Sequence, residues 1–93
     1  MNNLTPSEFY LCQNYPNPFK ERTTIKFCAA YKTKVKLEVF NSEDKIIKIL
    51  VDEEKEAGTY ELNWNASNLP SGVYFYKLQA GSFLQTRKMI LLK

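Results

Sequence analysis

KVKLEVF, residues 34–40, alternates without a break: Val35, Leu37 and Val39 fall on one face, Lys34, Lys36 and Glu38 on the other. A period of two is the mark of a half-buried strand, and a helix would scatter the same residues around its axis. The pattern recurs in TYELNW, which sets Tyr60, Leu62 and Trp64 together, and in VYFYKLQA, which sets Tyr74, Tyr76, Leu78 and Ala80 together. Turn chemistry separates these runs at 41–45 (NSEDK), 53–58 (EEKEAG), 65–72 (NASNLPSG) and 80–82 (AGS). Ala80-Gly81-Ser82 is expected to close a tight hairpin between VYFYKLQA and FLQTRKMILL. About seven short strands at spacings of roughly 8–12 residues, with no competing helical window, predict an all-β fold: a single antiparallel β-sandwich of immunoglobulin or fibronectin type.

The composition fits one such domain. The 93 residues are 44% hydrophobic and 25% charged, and the aromatics suit a β-rich core. The net charge of +3 is spread among acidic residues rather than gathered into a basic block, which argues against a nucleic-acid face. No apolar run reaches the ~18 residues of a membrane helix. MNNLTPSEF lacks the basic and apolar regions of a signal peptide, so an export signal is expected upstream of Met1 if the protein is exported. Cys12 and Cys28 lie too far apart for a CxxC pair; two free thiols are the plainer reading and a disulfide the other.

Ahead of the first convincing strand, TTIKF, stands QNYPNPF, residues 13–19. Proline fixes its own φ and steers its predecessor toward extended backbone, so Tyr15-Pro16 and Asn17-Pro18 both read as extended. The missing N–H groups bar this segment from a central strand. It is expected to be an edge strand or a rigid lead-in that docks Tyr15 and Phe19 onto the core. In LPSGVY, Leu69, Gly72 and Tyr74 have the LxxGxY spacing of a tyrosine corner, whose phenol bonds backbone just upstream.

Catalytic chemistry is sparse. Without histidine there is neither a Ser-His-Asp or Cys-His system nor an HExxH zinc site. Gly58, Gly72 and Gly81 are too dispersed to cradle a phosphate. DEEKE, residues 52–56, reads as a solvated turn rather than a cation site. Trp64, in phase with Tyr60 and Leu62, reads as core rather than as a sugar-stacking platform.

Four blocks in order give the chain a resemblance: LCQNYPNPF with TTIKF; VKLEVF, a turn and KIIKILVD; AGTYELNWNASNLPSGVYFYKLQAG; and a terminal RKMILLK. Together they resemble the type A C-terminal sorting domain of type IX secretion, found on proteins exported by Bacteroidetes, over positions 11 to 93. A related sandwich occurs in the flagellar hook-capping protein. Two departures stand out. Lys20-Glu21-Arg22 interrupts the run after NPF, and the turn glycine before KIIKIL is replaced near Asp44, a residue type that tolerates left-handed backbone.

The resemblance implies a non-enzymatic address with no cofactor, metal or small-molecule substrate. Its implied partners are an upstream cargo, the outer-membrane translocon and a sortase-like protease that removes the domain. The implied route runs through the periplasm to the outer membrane, the cell surface or the medium. Residues 1–9 are expected to be linker and processing region, and 10–93 the sorting domain. The expected recognition residues are Tyr15, Pro16, Asn17, Pro18, Phe19, Gly72, Val73, Tyr74, Lys88, Met89, Leu91 and Lys93. The competing reading is an accessory immunoglobulin-like module that binds carbohydrate or protein beside a catalytic domain. RKMILLK is expected to form a sheet-edge strand whose open edge accepts a strand from the export machinery.

Overall fold

The computed structural model describes residues 7–93. Its seven strands are β1 (Tyr10–Leu11), β2 (Arg22–Ala29), β3 (Thr33–Phe40), β4 (Ile46–Lys55), β5 (Gly58–Asn65), β6 (Gly72–Ala80) and β7 (Phe83–Leu91). They form two antiparallel sheets, β1-β2-β5 and β4-β3-β6-β7. This is the all-β sandwich that the alternation predicts.

Period two decides which side chains meet. Val35, Leu37 and Val39 of β3, Tyr74, Tyr76, Leu78 and Ala80 of β6, and Met89 and Leu91 of β7 are buried. They belong to one core with Leu11, Ile25, Phe27 and Trp64 of the three-stranded sheet. Trp64 is therefore core, packed against Phe19 with ring centroids 6.2 Å apart, and Phe27 stacks on its cross-strand neighbour Tyr60. Burying one such side chain contributes about 1.5–3 kcal/mol, whereas an exposed ion pair is worth roughly 0–1 kcal/mol. The facing rows therefore outweigh surface pairs such as Lys26–Glu61 and Lys34–Asp52.

β4 departs from simple alternation. Its pairing with β3 shifts register twice, between Leu37 and Glu38 and between Val39 and Phe40, leaving Leu50 and Ile47 as the extra residues. Each bulge inserts a residue and moves the inward phase by one. The strand also continues to Lys55, so the EEKEAG turn is shorter than its composition suggests. The carboxylates of that stretch disperse: Asp52 faces Lys34, Glu53 reaches Lys55, and Glu54 and Glu56 share Lys32. Glu38, expected on the solvent side of β3, is nearly buried on the outer sheet face beside Lys36.

The turns follow their residue types. Gly81-Ser82 is a two-residue hairpin loop closed by Ala80 opposite Phe83, with Gly81 at φ 59°. Asp44 takes the left-handed position between β3 and β4 at φ 65°, and its N–H donates to the Asn41 carbonyl. The Asn41 side chain accepts from the N–H groups of Glu43 and Lys45, fixing the turn around it. The tyrosine corner is present: the nearly buried Tyr74 donates its hydroxyl to the Pro70 carbonyl at 2.7 Å. Cys12 and Cys28 are free thiols. Of the expected linker, residues 1–6 lie outside the described part; Phe9 packs against Tyr31 and Phe83.

Two outcomes follow. Tyr74→Phe orphans the Pro70 carbonyl and should lower unfolding free energy by about 1–3 kcal/mol in urea denaturation. Asp44→Gly should hold or raise stability, while Asp44→Val should cost about 1–2 kcal/mol from a β-branched residue forced into left-handed backbone; equal midpoints for the two variants would refute this account of the turn.

Candidate recognition site

QNYPNPF forms a strap that starts on one sheet and ends on the other. At its start, Tyr15 exchanges backbone hydrogen bonds with Thr24 at 3.0 and 2.9 Å. The chain then bends through Pro16, Asn17 and Pro18, with both X-Pro bonds cis. At its end Phe19 runs parallel to the last turn of β7: its N–H donates to the Ile90 carbonyl, and its carbonyl accepts from the Leu92 N–H. The Asn17 side chain accepts from the Ile90 N–H at 2.9 Å. The segment is thus bent where the prolines predict an extended course.

The docking differs from expectation. Phe19 is buried, but Tyr15 is 80% exposed; it pairs through its backbone and turns its ring to solvent. The inward place falls to Asn14, only 2% exposed. Its amide donates to the Thr23 hydroxyl and the Pro16 carbonyl, and its side-chain oxygen accepts from Gln13. The Thr23 hydroxyl in turn donates to the Pro16 carbonyl. A buried amide at this position is tolerable because its polar atoms find partners.

One hydroxyl from the opposite sheet pins this segment. Tyr76 of β6 is fully buried, donates its O–H to the Cys12 carbonyl at 2.7 Å and accepts from the Asn14 N–H at 2.7 Å. Burial pushes the Tyr76 phenol up to about 12, against the opposing hydrogen bond from Asn14 and the nearby charge of Arg87. Arg87 of β7 adds a second tie, donating to the Leu11 carbonyl and lying over the Tyr10 ring.

The open β7 edge expected from RKMILLK is occupied where the strap lies on it. Met89 and Leu91 face inward as alternation requires, and Ile90 and Leu92 face outward. The ladder groups around Ile90 are already taken by Asn17 and Phe19, and the Lys88 carbonyl accepts from Gln13. Asn17 supplies an acceptor and Phe19 a donor and an acceptor, on either side of a Pro18 that has no N–H to give. Beyond β7, the Lys93 N–H donates to the Ser71 hydroxyl and its ammonium to the Ser67 carbonyl.

The three stretches singled out from the sequence come together. Gly72, Val73 and Tyr74 pair across the sheet with Leu91, Ile90 and Met89, and Phe19 lies on the other side of Leu91. Of the twelve residues, Phe19, Tyr74, Met89 and Leu91 are buried, whereas Tyr15, Pro16, Asn17, Pro18, Val73, Lys88 and Lys93 face solvent. Gly72 has no steric need of glycine, since a Cβ there would meet only the Tyr74 ring at 4.0 Å. Asn14, Thr23, Tyr76 and Arg87, which hold the strap and the β1 strand before it, escape sequence reasoning because alternation marks a face and not a hydrogen-bond partner.

The Tyr76 pin has a pH signature. Because the folded phenol titrates near 12 rather than at its ordinary value of 10, its contribution is complete below pH 10 and is lost as pH rises toward 12. Across that window stability should fall with a limiting slope of about 1.4 kcal/mol per pH unit. Tyr76→Phe removes this component and leaves the Asn14 N–H and Cys12 carbonyl unpaired, costing about 2–3 kcal/mol at neutral pH. Urea denaturation of both proteins at a series of pH values checks both statements, the difference between them cancelling the lysines that titrate in the same range.

No curated protein matches the chain. Residues 13–92 match the family described as the secretion system C-terminal sorting domain, from the start of the strap to the residue beside Phe19 on the far side of the sandwich. The chain belongs to that family, and it is a C-terminal sorting signal of type IX secretion.

Proposed function

We propose that the domain acts as a non-enzymatic address read by the outer-membrane translocon through the exposed strip that the strap, the start of β6 and the end of β7 create together, after passage of its cargo through the periplasm. Tyr15, Pro16, Asn17 and Pro18 form one part of that strip; Val73, Lys88 and Lys93 form the other. Phe19, Tyr74, Met89 and Leu91 serve it from below, since buried side chains set the shape of a surface without touching a partner. A sortase-like protease then cuts within residues 1–9, ahead of the packed Phe9, and cargo is left on the cell surface or released.

The observation that carries this reading is the meeting of family-matched blocks from both ends of the domain along one edge, with the Phe19 backbone bonded to Ile90 and Leu92. Segments needed only for a core have no reason to present an exposed Tyr15 beside two prolines. Prolines on a docked edge also keep it from pairing with other chains.

Fusing residues 1–93 to a secreted reporter tests the proposal. Tyr15→Ser with Lys88→Glu should leave the melting temperature unchanged and cut surface delivery at least about tenfold, since each exposed anchor of a docking surface can carry more than about 1 kcal/mol. Delivery at the unmodified level by a folded double variant would show that the strip is not what the machinery reads.

A further inference from the structure

The two cysteines meet on a patch that holds no residue of the recognition strip. β1 pairs with β2 in a register that sets Tyr10 opposite Cys28 and Leu11 opposite Phe27. The ladder runs one step further, since the Cys12 N–H donates to the Lys26 carbonyl at 2.9 Å. Leu11 and Phe27 are buried, so alternation turns Tyr10, Cys12, Lys26 and Cys28 to the outer face of the three-stranded sheet. Cys12 and Cys28 are one diagonal of that square, and both are half-buried free thiols.

The residues of the other diagonal are drawn away from the thiols. The Lys26 ammonium pairs with Glu61 of β5, on the side of β2 remote from β1. The Tyr10 ring lies beneath the Arg87 guanidinium of β7, and its hydroxyl accepts from that group, on the side of β1 remote from β2. The Cys28 sulfur lies 3.7 Å from the Thr59 hydroxyl, a weak contact that one rotation about χ1 gives up.

Distance decides what can join the two sulfurs. Diagonal neighbours on antiparallel strands stand about 7–8 Å apart, with their Cβ atoms somewhat closer. A disulfide needs Cβ atoms about 3.5–4.5 Å apart, so closing one would require β1 to move. A single ion between the sulfurs changes the reach: two metal–sulfur bonds of about 2.3 Å set them up to about 4.6 Å apart, and the two Cβ–S bonds span the rest of the diagonal.

The donor set decides which ion. Cys12 and Cys28 are the only cysteines, and the chain has no histidine. Among the described residues, no three cysteine or acidic side chains gather into a set that could hold a metal ion. Structural zinc takes four ligands, and iron–sulfur clusters take four thiolates. Two thiolates alone suit a soft monovalent ion that accepts two donors in a line, which is cuprous copper.

We propose that Cys12 and Cys28 form a two-coordinate site for a cuprous ion, which bridges β1 to β2 on the outer face of the three-stranded sheet. Each thiol releases its proton to solvent as its sulfur binds, because the thiolate is the ligand. Copper keeps its oxidation state, so no electron is transferred. The ion fastens β1, a strand of two residues, just ahead of the strap. The site goes beyond the sorting role and does not depend on it.

The whole chain, reduced and freed of reductant, is titrated without oxygen against the cuprous complex of bicinchoninate, whose colour falls as copper leaves it. One copper per chain is expected, with the chain sedimenting as a monomer and X-ray absorption reporting two sulfur neighbours. Affinity should fall at least about tenfold in Cys12→Ser and in Cys28→Ser, both on the outer face and both expected to keep the urea midpoint of the unmodified chain. An equal concentration of zinc should leave the titration unchanged. Retention of colour by the chelator, undiminished binding by either variant, one copper shared between two chains, or displacement of copper by zinc would each overturn the proposal. So would closure of the pair by oxidised glutathione into a disulfide that leaves stability undiminished, since the gap would then be too short for an ion.

Discussion

A buried hydroxyl of the four-stranded sheet fixes the path of the segment that leads into the other sheet. The strap contributes few side chains to the core, and its prolines deprive it of ladder hydrogen bonds. Without Tyr76, the Cys12 carbonyl and the Asn14 N–H would enter the interior unpaired. With Tyr76, the same polar groups become the reason the segment follows one path: the O–H takes one carbonyl, the oxygen takes one N–H, and Asn14 is turned toward Thr23 and Pro16. Phe19 is then delivered to Leu91 and Trp64. The apolar rows make the sandwich stable, while this polar pin settles where its loose end lies.

Most of the fold was legible because β2, β3, β5 and β6 obey one physical rule. In a regular strand the side-chain period is two, so Val35, Tyr76 and Trp64 declare their faces without knowledge of their neighbours. Turn positions were legible for the same local reason: Gly81 and Asp44 stand where the backbone is left-handed. β4 was harder to read, since IIKIL holds two bulges that cancel its alternation and bulges leave no mark of their own in composition. The outer face of β3 was misjudged at Glu38 because burial there depends on the strands to either side.

The site was legible as a set of stretches and not as an arrangement. Proline correctly marked 13–19 as peripheral, but local rules favoured Tyr15 over Asn14 as the inward residue, because an aromatic ring brings more apolar area. The outcome turned on partners sixty or more positions away, which no local rule contains. The same holds for β7: its inward residues followed from alternation, yet whether its edge stands open depended on a segment from the other end of the chain.

The separation between Phe19 and its docking place also orders events in time. The Asn17 contact to Ile90 spans 73 positions, and the Phe19 backbone contacts flank it. Contacts of such span form late, because the loop they close is long. A polypeptide appearing from its N-terminal side, whether from a ribosome or through a pore, exposes the strap early but offers it no seat until residues 90–92 have followed. Until then Phe19 and Asn14 remain in water and the β1 side of the sandwich stays unsealed. Closure of that side thus reports that the domain has emerged through its seventh strand, a completeness check written into the topology.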